Sequence, residues 1–233
     1  RNMLTQEAMN VTSVEVAPNN WKTTNASVTT WNNDWVYRDK DGGELRPTAD
    51  SEKIWRKHKN YVWKGKLDEH GTYGKNIGPY DFKWGVSDTQ TNTEWEQVSE
   101  ITRYTHFSLP VETKDINGNY ASSKMDATFS KTIAGGNAQY TEMYYSGLEE
   151  YESIGNEGEL LFENAQLSTT AHTGESAVAV GNTSKVFKLQ INAEDGSTLL
   201  GKKFKSGAYK VSYWLYTPDG AQSSHINNID LKY

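Results

Sequence analysis

Apolar positions in this chain seldom recur at i, i+3, i+4 and i+7, the spacing of a helical stripe. Short runs rich in Thr, Ser, Asn, Tyr and Val dominate instead, and these side chains favour a pleated, half-buried surface. The pattern predicts strands at Val11–Val16, Ala26–Trp31, Tyr61–Lys64, Thr93–Tyr104, Thr141–Tyr145, Glu159–Phe162, Ser176–Val180, Lys185–Ile191 and Ala208–Tyr216. Most of these runs are bounded by Gly, Asn, Asp or Pro. Tight turns are expected at Asp41-Gly42-Gly43, Asn117-Gly118, Asp195-Gly196 and Asp219-Gly220, where glycine supplies positive φ and Asx side chains bond back to the chain. Many short strands joined this way predict an all-β chain of sandwich or meander architecture.

The tryptophans divide the chain. Trp21, Trp31, Trp35, Trp55, Trp63, Trp84 and Trp95 fall early, whereas Trp214 stands alone. Between the groups lies the acidic, Gly-containing stretch Tyr151–Gly158, which reads as a linker. We therefore expect a Trp-rich β-domain over residues 1–155 and a second β-module over 156–233. The early tryptophans are expected in core and turn packing, since a β-domain without disulfides needs large apolar side chains. A short pattern, D-x-x-G-x-Y, occurs at Asp68–Tyr73 and again at Asp115–Tyr120, each time placing a turn immediately before a strand expected to bury its Tyr.

Composition narrows the function classes. At 233 residues the chain can bury a sizeable core, and 12% aromatic content sets it apart from disordered sequences although hydrophobic residues make up only 35%. The 24 basic and 30 acidic residues give a net charge of −6, which argues against a phosphate-binding surface and hence against nucleic acid as a partner. No run approaches the roughly 18 apolar residues of a membrane helix. The absence of cysteine removes thiol catalysis, thiolate metal sites and disulfides. The chain opens Arg1-Asn2-Met3-Leu4 and stops at Leu231-Lys232-Tyr233 within an apparent strand, so a piece of a longer polypeptide is expected.

Two stretches carry resemblances. Tyr104, Pro110, Glu112, Asp115, Gly118 and Tyr120 fall in the spacing of a unit found in very large RHS/YD-repeat-like proteins of Bacteroidetes. Arg1–Leu4, the Trp-rich stretch, Asn137-Ala138-x-Tyr140 and Tyr145-x-Gly147-Leu148-Glu149 also resemble that family, although the segment from Ser99 to Asp126 departs from its standard YD dipeptide. Phe162–Ala165 followed by Ala171–Val180 resembles the opening of a carbohydrate-binding-module-like jelly roll, and Ala208–Tyr216 resembles one of its later strands. These resemblances imply a secreted or cell-surface protein, exported by the type IX route, with a structural, adhesive or glycan-binding segment. A jelly roll needs about eight strands, and residues 156–233 offer four or five, so the sandwich is expected to be interrupted or atypical. The family often holds a structural calcium, with Glu163 near a position able to supply a ligand; no other cofactor is implied.

Candidate chemistry is sparse. Glu149/Glu150, Glu94/Glu96 and Glu112/Asp115 are available as carboxylate pairs, but alternation puts Glu94 and Glu96 on a solvated face with Trp95 opposite. His58, His70, His106, His172 and His225 are dispersed without metal-ligand spacing and read as turn or surface residues. The resemblance gives His172 a role in turn packing. Asp39–Glu44 and Asp115–Asn119 are similar to calcium loops but lack the full ligand series, which favours hairpin turns. Along Val211–Tyr216, alternation assigns Val211, Tyr213 and Leu215 to a core face, leaving Trp214 and Tyr216 as candidate sugar-stacking platforms unless another sheet or module covers them. The expectation is a non-enzymatic binding segment whose partners are a glycan or other surface modules. The alternatives are an accessory region of a polysaccharide-degrading enzyme and part of an RHS-type toxin shell.

Overall fold

The computed structural model describes residues 6–35, 37–38, 44–45, 47–85, 90, 92, 94–126, 128–143, 145–149, 159–188, 210 and 212–216. Among these the chain is all-β and contains no α-helix. Its strands are β1 (Met9–Ala17), β2 (Asn20–Asn32), β3 (Tyr37–Arg38), β4 (Glu44–Leu45), β5 (Arg56–Trp63), β6 (Trp95–Tyr104), β7 (Pro110–Asp115), β8 (Tyr120–Met125), β9 (Thr132–Gly136), β10 (Glu159–Ser168) and β11 (Ala177–Lys188). One seven-stranded sheet has the order β1-β2-β5-β6-β7-β8-β9, and β10-β11 and β3-β4 form separate two-stranded ladders. No helix among the described residues is long and apolar enough to cross a membrane.

Backbone contacts divide the chain into two units: Arg1–Trp35, Arg46–Tyr104 and Ser108–Tyr120, and then Val36–Leu45, Thr105–Phe107 and Ala121–Tyr233. The linker expected at Tyr151–Gly158 lies outside the described residues, as do the turns expected at Asp41–Gly43, Asp195-Gly196 and Asp219-Gly220.

The first unit has an aromatic core. Ala26 and Val28 of β2, Tyr61 and Trp63 of β5, and Trp95 of β6 are buried together with Ile77 and Phe82 from the β5–β6 connection. Pairing is antiparallel and sets Val28 opposite Tyr61 and Trp63 opposite Trp95. The rings meet edge to face: Trp63 with Trp95 at 5.2 Å, Phe82 with Trp95 at 5.3 Å and Phe82 with Tyr61 at 5.1 Å. Each such pair adds about 0.5–1.5 kcal/mol beyond area burial, because a positive ring edge meets a negative face. Trp35 is buried as well, but Trp21, Trp55 and Trp84 are exposed, so core packing accounts for only some of the early tryptophans.

Thr23 ties the connection to the sheet. This fully buried residue donates its backbone N–H to the Lys75 carbonyl and accepts at its own carbonyl from the Tyr73 N–H. Its hydroxyl oxygen also accepts from the Ile77 N–H at 3.0 Å.

Several strands differ from expectation. The described residues of Thr141–Tyr145 form no strand: a 3-10 turn spans Tyr140–Glu142, closed by Glu142 N–H to the Gln139 carbonyl and by Gln139 N–H to the Glu142 carboxylate, and Tyr144 lies outside the described residues. The strands β7 and β9 escape a hydrophobic-pattern search, β7 because it buries Glu112 and β9 because it ends in two glycines. Strand β8 begins at Tyr120, where the turn pattern places a strand, and buries Ser122 and Lys124, whereas Tyr73 lies in no strand. Ser176–Val180 and Lys185–Ile191, expected as separate strands, are joined in β11 as far as Lys188, beyond which the residues lie outside those described. The apparent break at Gly181–Ser184 is a bulge, closed by Gly181 N–H to the Ser184 hydroxyl at 2.8 Å and by that hydroxyl donating to the Asn164 carbonyl. Within Ala208–Tyr216, Lys210 and Ser212–Tyr216 carry no strand pairing.

Thr23→Val keeps the shape of this side chain but leaves the Ile77 N–H without its acceptor. Urea denaturation should register a loss of about 1–3 kcal/mol, with Thr23→Ser retaining most of the stability.

Candidate functional site

In the second unit, Trp214 and His172 form a stack with ring centroids 4.0 Å apart and planes within 5°. Trp214 is 77% exposed and Tyr216 is 69% exposed. The same segment corrects the expectation that Tyr213 and Leu215 face a core: at 57% and 46% exposure both face solvent. Alternation loses its meaning here because Ser212–Tyr216 has no strand partner among the described residues to define two faces. Val211 lies outside the described residues.

The turn that carries His172 is held from a distance in sequence. Gly174 has φ +75°, and the Glu149 carboxylate lies where a Cβ on Gly174 would stand. One Glu149 oxygen accepts from the N–H groups of Glu175 at 2.8 Å and Ser176 at 3.1 Å. Glycine therefore serves two needs, the left-handed backbone and the approach of a carboxylate. Glu149, weighed above as half of a carboxylate pair, is instead committed to backbone donors; Glu150 lies outside the described residues.

The remaining sequence candidates are likewise engaged. Trp95 is buried and Glu94 is exposed, as expected, whereas Glu96 is half-buried and forms an ion pair with Lys64. Glu112 is buried and accepts from the Thr102 hydroxyl at 2.6 Å. Among the described residues no group of three or more His, Asp or Glu side chains is placed to hold a metal ion. Asp39–Gly43 and the side chain of Glu163 lie outside those described, and the Asp115 loop is spent on its own turn.

That turn and its counterpart at Asp68 share one geometry. Asp115 Oδ1 accepts from the N–H groups of Asn117 and Asn119, and Oδ2 from the Asn119 amide, while Gly118 stands at φ +82°. Asp68 Oδ1 accepts from the N–H groups of His70 and Thr72, and Oδ2 from the Thr72 hydroxyl, with Gly71 at φ +73°. The D-x-x-G-x-Y pattern is thus an Asp-capped turn, and both following tyrosines are partly buried. Asp126 builds a related turn that the pattern misses, because Phe129 occupies the left-handed position at φ +54°. Bonds from Thr72 hold the Asp68 carboxyl below its ordinary pKa, and bonds from Asn119 do the same for Asp115. At Asp126 burial pushes upward, yet the bonds from Thr128, Lys131 and Ser130 outweigh it and the net shift is downward.

Sequence reasoning also overlooked a half-buried network in the first unit. His58 Nε2 lies 3.2 Å from Glu100 Oε1, and Trp35 meets the rings of His58 and Tyr104 edge-on at 5.4 and 4.9 Å. The buried Arg56 donates from Nε to the Ser108 hydroxyl at 2.9 Å and lies 5.5 Å from the Tyr104 ring. Burial raises the Tyr104 phenol to about 12, against the opposing influence of Arg56, while the bond from His58 lowers the Glu100 carboxyl. The sequence signal was alternation of Arg56 and His58 within a strand, but nothing in the sequence names Trp35 and Glu100 as partners. Comparison with known protein families, with curated proteins and with solved structures finds no match.

Folded-state carboxyl pKa values below the ordinary value of about 3.9 mean stability that is complete above that value and is lost as pH falls through the depressed one. The thermal midpoint should therefore hold between about pH 7 and 5 and fall below about pH 4. Asp115→Asn should lower the midpoint at neutral pH and flatten the acid limb; an unchanged acid limb would remove Asp115 from this account.

Proposed function

We propose that the chain is a non-catalytic, glycan-binding segment of a larger exported surface protein. The observation that carries this reading is the Trp214–His172 stack: a large indole held flat against an imidazole, with most of its surface open to water. Exposed apolar surface of this kind is costly in water and is a common mark of a binding surface. A pyranose offers a face of C–H groups that matches an aromatic ring, while its hydroxyls stay hydrated. His172 supports the ring, Glu149 and Gly174 hold the turn beneath it, and Tyr216 adds a second exposed aromatic near Trp214 in sequence. The resemblance to RHS/YD-repeat-like and carbohydrate-binding-module-like segments supports cell-surface placement and a role in adhesion. The engagement of Glu149, Glu112 and Asp115 in structural bonds favours binding over hydrolysis.

Affinity electrophoresis through gels containing hydroxyethylcellulose, xylan, laminarin or galactomannan tests this reading. Trp214→Ala should weaken binding of the retarding polymer by about 2 kcal/mol, roughly thirtyfold. Gly174→Ala should displace Glu149, loosen the turn and produce a smaller loss. Retardation by none of the four polymers, or retardation indifferent to Trp214→Ala, would remove the Trp214 platform.

A further inference from the structure

The turn between β7 and β8 contains the only Asn-Gly dipeptide in the chain, Asn117-Gly118. An asparagine side chain is open to attack by the backbone nitrogen of the residue that follows it. Glycine in that place hinders the approach least, because it carries no Cβ. Asn117 is exposed, so water reaches the reacting amide.

The fold opposes that attack. The Gly118 N–H donates to the Asp115 carbonyl at 3.1 Å, and the Asp115 N–H donates to the Asn119 carbonyl at 2.9 Å. With Gly118 at φ +82°, these are the bonds of a type I turn closed by a glycine bulge. The residue before the glycine in such a turn has ψ near zero. At that angle the next nitrogen eclipses the residue's own nitrogen and is turned away from its Cβ. To reach the Asn117 side chain, Gly118 must therefore break its bond to the Asp115 carbonyl and rotate. The Asp115 carboxylate resists this from both sides of Gly118, accepting from the Asn117 and Asn119 N–H groups at 2.8 Å each and from the Asn119 amide at 3.0 Å. The turn at Asp68 repeats the backbone bonds, with Gly71 N–H to the Asp68 carbonyl at 3.0 Å and Asp68 N–H to the Thr72 carbonyl at 2.8 Å. It carries His70 where the other carries Asn117, so it holds no amide to react.

We propose that Asn117 is a latent deamidation site, kept unreactive by the Asp115 cap and released when the β7–β8 turn opens. In the reaction the Gly118 nitrogen bonds to the Asn117 Cγ, the Cγ–Nδ2 bond breaks, and ammonia leaves with the proton that the Gly118 nitrogen gives up. Water then opens the five-membered imide at one of its two carbonyls, giving aspartate or its β-linked isomer. Either product sets a new carboxylate beside that of Asp115, where like charges repel. The β-linked isomer also adds a methylene to the backbone of the turn, so Asp115 no longer meets both of its N–H donors. The conversion is irreversible in water and disfavours the very turn that had prevented it, so a transient opening leaves a permanent change. The site is independent of what the chain binds.

Trypsin isolates the site, since cleavage after Lys114 and Lys124 releases the peptide Asp115–Lys124. The full chain is incubated at neutral pH as wild type, Asp115→Ala and Asp68→Ala, beside wild type unfolded in guanidinium chloride. Mass spectrometry of that peptide follows conversion of amide to acid, its fragments separate Asn117 from Asn119, and circular dichroism checks that each variant is folded. Conversion at Asn117 should be about a hundredfold faster in the unfolded chain than in folded wild type, because no bonded turn has to open first. Folded Asp115→Ala should convert about tenfold faster than wild type, while Asp68→Ala, which loses the corresponding cap elsewhere, should keep the wild-type rate. Folded wild type converting as fast as the unfolded chain, or no conversion in the unfolded chain, overturns the proposal. So does a folded Asp115→Ala at the wild-type rate, or equal acceleration by Asp68→Ala, which would place the effect in global stability. Should Asp115→Ala not fold, hydrogen exchange of the Gly118 N–H in wild type under mild denaturant takes its place: exchange and conversion should rise in parallel, and conversion that ignores the opening of that bond overturns the proposal.

Discussion

The first unit depends on edge-to-face packing of Trp63 against Trp95, because a chain without cysteine and with a modest hydrophobic fraction must draw its cohesion from a few large rings. The two residues are cross-strand partners, so the contact that buries the rings also sets the β5–β6 register. It reaches further than the sheet. The Trp95 indole N–H binds the Asp81 carbonyl, the Trp63 carbonyl accepts from the Tyr73 hydroxyl, and Lys75 lies against the Trp63 ring. The connection that covers the core is thereby fastened to the residues it covers. Gly65 belongs to the same constraint, since a Cβ there would collide with the Trp63 indole.

Around that core a polar sequence makes strands by supplying turns that close themselves. Asp68, Asp115 and Asp126 each use one carboxylate to bind the backbone N–H groups of the following residues, which leaves few loose donors in the turn. Two of these turns place glycine in the left-handed position. The third places Phe129 there at a local cost of about 1–2 kcal/mol, offset by burial of its ring edge-on against His106 and Phe107. A local backbone preference yields to tertiary packing at that residue.

The strands with a visible apolar period, β1, β2, β5 and β6, were legible in the sequence, as was the all-β class. The strands β7 and β9 were not, and of β8 only its start after the Asp115 turn was, because the residues buried here include a glutamate, a serine and a lysine whose partners come from other segments: Thr102 for Glu112, the Ala138 carbonyl for Ser122 and the Tyr140 ring for Lys124. Trp214 and Tyr216 were legible as aromatics of interest. The stacking of Trp214 on His172 was not, since those residues lie 42 positions apart and no pattern connects them. The exposure of Trp21, Trp55 and Trp84 was hidden for a different reason: a tryptophan in a Trp-rich stretch reads as core, and only the folded chain tells a displayed ring from a buried one.

Taken alone, the sequence determined that the chain is built of strands, that Asp and Gly close several of its turns, and that aromatic rings stand in for the missing disulfides. These are local matters of side-chain shape, alternation and φ, which a short window of residues contains in full. Tertiary structure decided which rings are buried and which displayed, which carboxylates cap backbone N–H groups, and which polar residues are interior. Burial and hydrogen bonding are properties of pairs distant in the chain, and their free energy exists only once folding has brought both members together.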